Sequence, residues 1–282
     1  MIVVTGATGQ LGHLVIASLL KKVPASHIVA AVRNVEKAKD LAAMGVQVRH
    51  ADYNQPASWD VALKGAEKVL LISSSEIGQR AKQHQSVIDA ARRAGVRLLA
   101  YTSILHADTS PLGLAAEHKD TEAALRASGV PFVLLRHGWY TENYTTGIPN
   151  ALAHGAVYGC AGDGRIASAT RADYAEADVA VLTAENQAGK VYELAGDTSY
   201  TLSELAAEIA RQSGKSIGYV NLPEAEYKNV LLKVGLPEPV AALLSDSDTG
   251  VSKGGLFDDG HQLSKLIGRA TTALATAVMA AL

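Results

Sequence analysis

The stretch Thr5-Gly6-Ala7-Thr8-Gly9-Gln10-Leu11-Gly12 spaces its glycines three apart, directly behind the apolar run Ile2-Val3-Val4. Glycines in such a turn let backbone amides approach an anion closely. A helix opening next, over His13 to Lys22, adds unpaired N–H groups and a partial positive charge. The chemistry this predicts is the binding of a dinucleotide pyrophosphate by Gly6, Ala7, Thr8, Gly9, Gln10 and Leu11. Because the spacing is G-x-x-G-x-x-G rather than G-x-G-x-x-G, the strand before it and the amphipathic run after it carry as much of the argument as the glycines.

A second chemical position follows from the first. In a dinucleotide fold the residue ending the second strand lies beside the adenosine ribose, and an acidic side chain there accepts from the 2′-hydroxyl of NAD. Here the strand ends in Val32-Arg33-Asn34, with Lys37 soon after. A guanidinium at that place matches the extra phosphate of NADP, although a solvated strand-end charge is the plainer reading of the same residue. The fourth apolar run ends in Ser73-Ser74-Ser75, where the nicotinamide half of a cofactor commonly lies, and three serines are also ordinary turn composition. Asp52, behind the third run, either faces the adenine or caps the segment before Pro56.

These residues need a scaffold. Short apolar runs recur at Ile2 to Thr5, Ile28 to Val32, Val46 to Arg49, Val69 to Ile72, Leu98 to Thr102 and Phe132 to Leu135, with helical periodicity between them. Such alternation predicts an α/β fold, a doubly wound parallel Rossmann sheet with ligands at the carboxyl ends of its strands. Gly95 is the expected stop of the helix bearing Val87, Ile88 and Ala91. Beyond Arg136 the regularity breaks, and short strands such as Val157 to Gly159 and Val191 to Leu194 predict a smaller C-terminal α/β substrate lobe. The division is thus residues 1–136 for the NADP-binding core, with later segments free to add to it, and 137–282 for the substrate lobe. Thr201-Leu202-Ser203-Glu204 reads as a capped helix start, and Leu222-Pro223-Glu224 and Leu236-Pro237-Glu238 introduce two more helices.

Composition bounds the partners. In 282 residues, 48% apolar, with a net charge of −2, the charges are interspersed. No basic stripe offers itself to nucleic acid and no polybasic arm to a membrane surface, which leaves a small molecule as the expected partner and homo-oligomerisation open. Cys160 is the single cysteine and there is no H-E-x-x-H, so the chain is read as metal-free. Met1 leads straight into a strand, without a secretory signal, so a cytoplasmic protein is expected. The string Gly250-Val251-Ser252-Lys253-Gly254 matches a hydrolase nucleophile elbow but follows no buried strand, and we discount it.

What the chain lacks is equally informative. None of its ten tyrosines is followed four residues later by lysine, so the Tyr-x-x-x-Lys acid of ordinary carbonyl reductases is absent. Against the lysine-bearing helix of that superfamily, His118 takes the lysine position and Leu114 the tyrosine position. Hydride delivery without that proton donor suits an electron-poor acceptor such as a quinone, whose proton can come from water. His118 is then either a titrating group or a helix histidine with a structural hydrogen bond.

Several stretches together carry a family resemblance: the glycine turn, Arg33-Asn34, Leu71-Ile72-Ser73-Ser74-Ser75, Tyr101-Thr102-Ser103, His106 to Leu114, Gly138-Trp139-Tyr140, Glu142-Asn143-Tyr144, Gly162-Asp163-Gly164, Ala167 to Tyr174 and Ser252 to Asp259. The chain resembles, over essentially its whole length, the bacterial type 2 NADPH:quinone oxidoreductases, atypical short-chain dehydrogenases of the NmrA-like branch. The resemblance implies NADPH held by Gly6 to Leu11, Arg33, Ser73 to Ser75, Arg171 and the loop Gly138, Trp139, Tyr140, Thr141, Glu142 and Asn143. It also implies direct hydride transfer to a quinone without flavin or metal. Tyr140, Asn143 and His118 are the catalytic candidates, the first two for orienting the nicotinamide or polarising a quinone oxygen, against plain packing and turn roles. His137 departs from the pattern, since relatives have asparagine between the arginine and the glycine, and it puts the hydrogen bonding of that loop in question. Two other readings resemble the chain too: a triphenylmethane dye reductase, and a redox sensor that binds NADP without turnover.

Overall fold

A computed structural model describes all 282 residues. Nine strands form: β1 Ile2–Thr5, β2 Ile28–Val32, β3 Gln47–His50, β4 Lys68–Leu71, β5 Leu98–Ile104, β6 Phe132–His137, β7 Ala156–Gly159, β8 Val191–Leu194 and β9 Gly218–Asn221. Seven of them make one sheet in the order β3-β2-β1-β4-β5-β6-β8. Each neighbouring pair from β3 through β6 is parallel. The crossover from β3 to β4 puts the topological switch point between β1 and β4, where ligands bind in doubly wound sheets.

The helices of the first half are α1 Gln10–Leu19, α2 Lys39–Ala43, α3 Pro56–Ala62, α4 Arg80–Arg93 and α5 Ala115–Ser128. Those of the second half are α6 Glu142–Thr145, α7 Ile148–His154, α8 Arg171–Thr183, α9 Leu202–Ser213, α10 Glu224–Lys233, α11 Glu238–Ser252, α12 Gln262–Ile267 and α13 Leu274–Ala281. None is long and apolar enough to cross a membrane.

The chain divides into two interleaved compact units: residues 1–104, 116–137 and 171–192 form the first, and 105–115, 138–170 and 193–282 the second. In the first unit β1, β2 and β5 are buried along their whole length, as a parallel sheet covered on both faces requires. One face packs Val3, Val29, Val69, Leu71, Leu99 and Tyr101 against Trp59, Val87, Ile88 and Leu125. Helix α1 buries Leu11, Val15, Ile16 and Leu19, and α8 packs against it, which is why residues 171–192 return to this unit. β8 extends the main sheet beside β6, whereas the sequence pattern places it in the C-terminal lobe. In the second unit β7 and β9 form a small parallel sheet of their own.

Local signals act as their chemistry predicts. Gly95 adopts φ +67° just past the end of α4, a left-handed stop that a Cβ would oppose. Thr201 and Glu204 form a reciprocal capping box at the start of α9. The Gly250 to Gly254 string, in contrast, begins inside the last turn of α11, so Ser252 is a helix residue rather than an elbow nucleophile.

Candidate functional site

The predicted phosphate turn sits between β1 and α1. Gly6 has φ +56°, and Gly9 is the N-cap of α1 with no side-chain cap. The helix begins at Gln10, three residues earlier than its periodicity suggests, because Gly9 is extended and ends the turn. Gly12 therefore lies inside the first turn, and its approach to β1 is close: a Cβ there would stand 2.5 Å from the Gly6 carbonyl oxygen and 2.7 Å from the Ala7 Cα. No acidic residue occupies the first turn. A helix N-terminus with bare amides, no carboxylate and a glycine floor is a fit for a pyrophosphate.

Arg33 stands immediately after β2 with a 71%-exposed side chain, and its Nη1 donates to Glu76 Oε1 across a long 3.4 Å contact. Gln83 holds the other oxygen of Glu76 at 2.7 Å. An exposed pair of this kind contributes little by itself, so the guanidinium remains available to a second anion. Of its two readings Asp52 takes the capping one: its carboxylate accepts from the Asn54 amide at 2.9 Å and closes the turn before α3.

The serines after β4 are held from below. The Ser73 amide donates to Thr102 Oγ1 and the Ser74 amide to His84 Nε2, each at 2.9 Å, while Arg80 Nε donates to the Ser74 carbonyl. Thr5 Oγ1 accepts from the Ile72 amide, and the Tyr53 hydroxyl lies 2.8 Å from both Thr5 Oγ1 and the Ile72 carbonyl. Thus Gly6 to Leu11, Arg33 and Ser73 to Ser75 come together at the carboxyl ends of the adjacent strands β1, β2 and β4. Tyr53, Arg80, His84 and Thr102 were not legible as part of this group, since no spacing links them to it. His84 is held at a pKa of about 3, first by burial and then by the Arg80 charge, so its Nε2 is a neutral acceptor for the Ser74 amide.

His118 lies behind this group: the Arg80 charge reaches it, and its partner Tyr101 packs edge-on against the His84 ring at 5.3 Å. The His118 ring is buried on α5, with Nδ1 2.8 Å from the Tyr101 hydroxyl. Burial, reinforced by the Arg80 charge, keeps the imidazole well below its usual pKa and therefore neutral, and burial likewise raises the Tyr101 phenol. Below it, Glu122 accepts from Ser103 Oγ at 2.7 Å and from Arg136 Nε and Nη2 at 2.9 and 2.7 Å. His137 places Nε2 2.8 Å from the buried Asp178 and stacks on Tyr174 at 4.5 Å, which takes it into the interior of the unit. Arg171 is the first residue of α8.

In the second unit, the loop from Gly138 to Asn143 runs alongside residues 167–170. Ala169 donates its amide to Trp139 at 3.1 Å and accepts from Thr141 at 2.9 Å, and Thr141 Oγ1 meets Ser168 Oγ at 2.8 Å. Tyr140 pairs with Ala169 in a parallel bridge, and Glu142 and Asn143 open α6. Cys160 has a thiol raised to about 11 by burial and so is no activated nucleophile.

The same unit buries Asp248 of α11, whose Oδ2 accepts the Cys160 amide at 3.0 Å. Burial raises this carboxyl from 3.8 to about 6. A group bound to its proton more tightly when folded contributes stability that is full below pH 4 and is lost as pH rises through 6. Asp248→Asn is expected to gain on the wild type by roughly 2–3 kcal/mol between pH 4 and pH 7. Urea denaturation across that range reads the difference, and a flat one would mean that water reaches the carboxylate.

The doubly wound order, the glycine turn and the basic strand end are those of a dinucleotide-binding Rossmann protein. The chain belongs to the NmrA-like family, whose model matches residues 1–278. It is 61% identical to quinone oxidoreductase 2 of Escherichia coli over 278 residues, 99% of this chain and 97% of that protein. The structure of the E. coli NADPH-dependent quinone oxidoreductase complexed with NADPH superposes with a TM-score of 0.97, at 61% identity over 99% of both chains. That of Citrobacter sp. triphenylmethane reductase complexed with NADP(H) gives 0.96, at 43% identity over the whole of both.

Proposed function

We propose that this protein is an NADPH-dependent quinone reductase that passes hydride directly to the acceptor, with no flavin or metal between. The observation that carries the cofactor half is an exposed guanidinium at the end of β2, beside a glycine turn that ends in a bare helix N-terminus. Full-length likeness to a quinone oxidoreductase supports the acceptor half.

In this reading the amides of Gly6 to Leu11 bind the pyrophosphate, Arg33 the 2′-phosphate, and Ser73 to Ser75 the nicotinamide half; Arg171 and, in the second unit, the Gly138 to Asn143 loop are further candidates for holding the cofactor. Bound NADPH supplies the hydride. Asn143 and Tyr140 orient the acceptor and donate hydrogen bonds to the oxygen on which negative charge develops. The proton that completes the hydroquinone comes from water, because the neutral His118 is engaged with Tyr101 in the interior. His118 is then a positioning residue for α5 and β5 rather than an acid.

The test is NADPH oxidation by the flavin-free protein with 1,4-benzoquinone, beside NADH and a sample without quinone. Quinone-dependent turnover that prefers NADPH is expected. Arg33→Asp removes a charge-assisted hydrogen bond of about 1.5–3 kcal/mol, so NADPH affinity should fall roughly ten- to hundredfold and NADH affinity little. Equal losses with both cofactors would remove Arg33 from the phosphate site.

A further inference from the structure

The second unit holds a cleft of about 440 Å³, within the roughly 300–1,000 Å³ of pockets that enclose drug-sized ligands. Ile148, Val157, Leu205, Ile209 and Leu236 are on its wall, and no Asp, Glu, Lys, Arg or His is. A wall without charge in a chain that is 19% charged selects an uncharged, apolar ligand. Three tyrosines are on the wall, Tyr144, Tyr158 and Tyr227, and loss of water together with the nearby Asp248 keeps the phenols of Tyr144 and Tyr227 protonated, so they add no charge.

Helix α10 shows what the cleft lacks. Its residues Tyr227, Val230, Leu231 and Val234, spaced three, four and seven apart, form one apolar stripe, and all four line the cleft. Of these only Leu231 is buried, and Val234 is 47% exposed. An apolar stripe normally covers a core, and this one faces open volume instead. Asn143, assigned above to the acceptor oxygen, stands on the same wall. An unsubstituted benzoquinone, with eight heavy atoms, fills only a fraction of the space.

We infer that this cleft holds a hydrocarbon side chain of the acceptor, so that the preferred substrate is an alkyl- or isoprenoid-substituted quinone rather than a bare ring. The inference rests on the quinone reductase reading. Burial of each added methylene raises kcat/KM by up to about fourfold until the cleft is full. The experiment compares NADPH-dependent kcat/KM for methyl-, pentyl- and decyl-substituted 1,4-benzoquinone in the wild type and in Val230→Trp, which fills the cleft from a partly exposed helix. A decyl-to-methyl ratio of at least about tenfold in the wild type, collapsing toward one in Val230→Trp, is expected. A flat wild-type series, or a ratio that Val230→Trp leaves unchanged, overturns the inference while the quinone reading stands. Turnover with no quinone at all overturns that reading. The cleft is then judged by calorimetry with decylbenzoquinone alone: binding that Val230→Trp abolishes supports an apolar-chain site, and no binding ends it.

Discussion

Arg136→Met should lower the free energy of unfolding by roughly 3–5 kcal/mol at neutral pH, the largest stability loss expected of any single change in the first unit. Arg136 on β6 meets Glu122 on α5 through two hydrogen bonds of 2.9 and 2.7 Å, and the side chains are 5% and 1% exposed. Ser103 on β5 donates to the same carboxylate. Removing the arginine leaves a carboxylate that is out of water, with Ser103 and the half-exposed Arg126, at 3.0 Å, as its remaining partners. The penalty is the desolvation of that orphaned charge more than the worth of the pair itself. Urea denaturation measures the loss, and Arg136→Met combined with Glu122→Leu should recover most of it, because an apolar pair of similar volume leaves no charge to solvate. If Arg136→Met costs under about 1 kcal/mol, Arg126 has taken over and the buried pair does not anchor β6 to α5.

Gly12→Val should weaken NADPH binding by at least about a hundredfold, the largest functional loss expected from a residue that need not touch the cofactor. The Cβ would lie 2.5 Å from the Gly6 carbonyl oxygen and 2.7 Å from the Ala7 Cα, both backbone atoms of the phosphate turn. Neither can yield as a side chain would, so α1 must move away from β1 and carry its N-terminal amides with it. The same overpacking costs about 1–3 kcal/mol of stability. Gly9→Ala is the control: its Cβ stands 3.1 Å from the Gly6 oxygen, and its φ of −76° suits any residue, so the loss should stay under about tenfold. A titration of NADPH against the three proteins separates the cases. Equal affinity in Gly12→Val and the wild type would show that the close helix–strand approach is not what forms the site.

Much of this molecule could be read from local order in the chain. Contiguous apolar runs placed β1, β2, β4, β5 and β6 within a residue or two, because strands covered on both faces of a parallel sheet have no polar side to show. Gly95, the Thr201 and Glu204 pair, and the prolines before α10 and α11 marked helix ends by backbone and capping chemistry that acts within a few residues. The basic residue after β2 was likewise legible, since doubly wound topology fixes what lies at that strand end.

Other features depended on contacts between residues far apart in sequence. His118 matched a catalytic position by alignment, yet only the fold turns its ring inward to Tyr101, 17 residues away in the chain, where burial holds it neutral. The Gly250 to Gly254 string met a motif that α11 then absorbed. β8 joined the main sheet beside β6, and α8 packs on α1, pairings that no local periodicity records. The apolar cleft has no motif, since α6, α7, β7, α9, α10 and α11 each contribute only a few side chains to it. The sequence by itself determined the strands, the phosphate turn and the charge beside it, because backbone chemistry and periodicity act over a few residues. Tertiary structure alone decided which titratable groups lose water and what volume remains for an acceptor, because desolvation and cavity shape are properties of atoms brought together from distant parts of the chain.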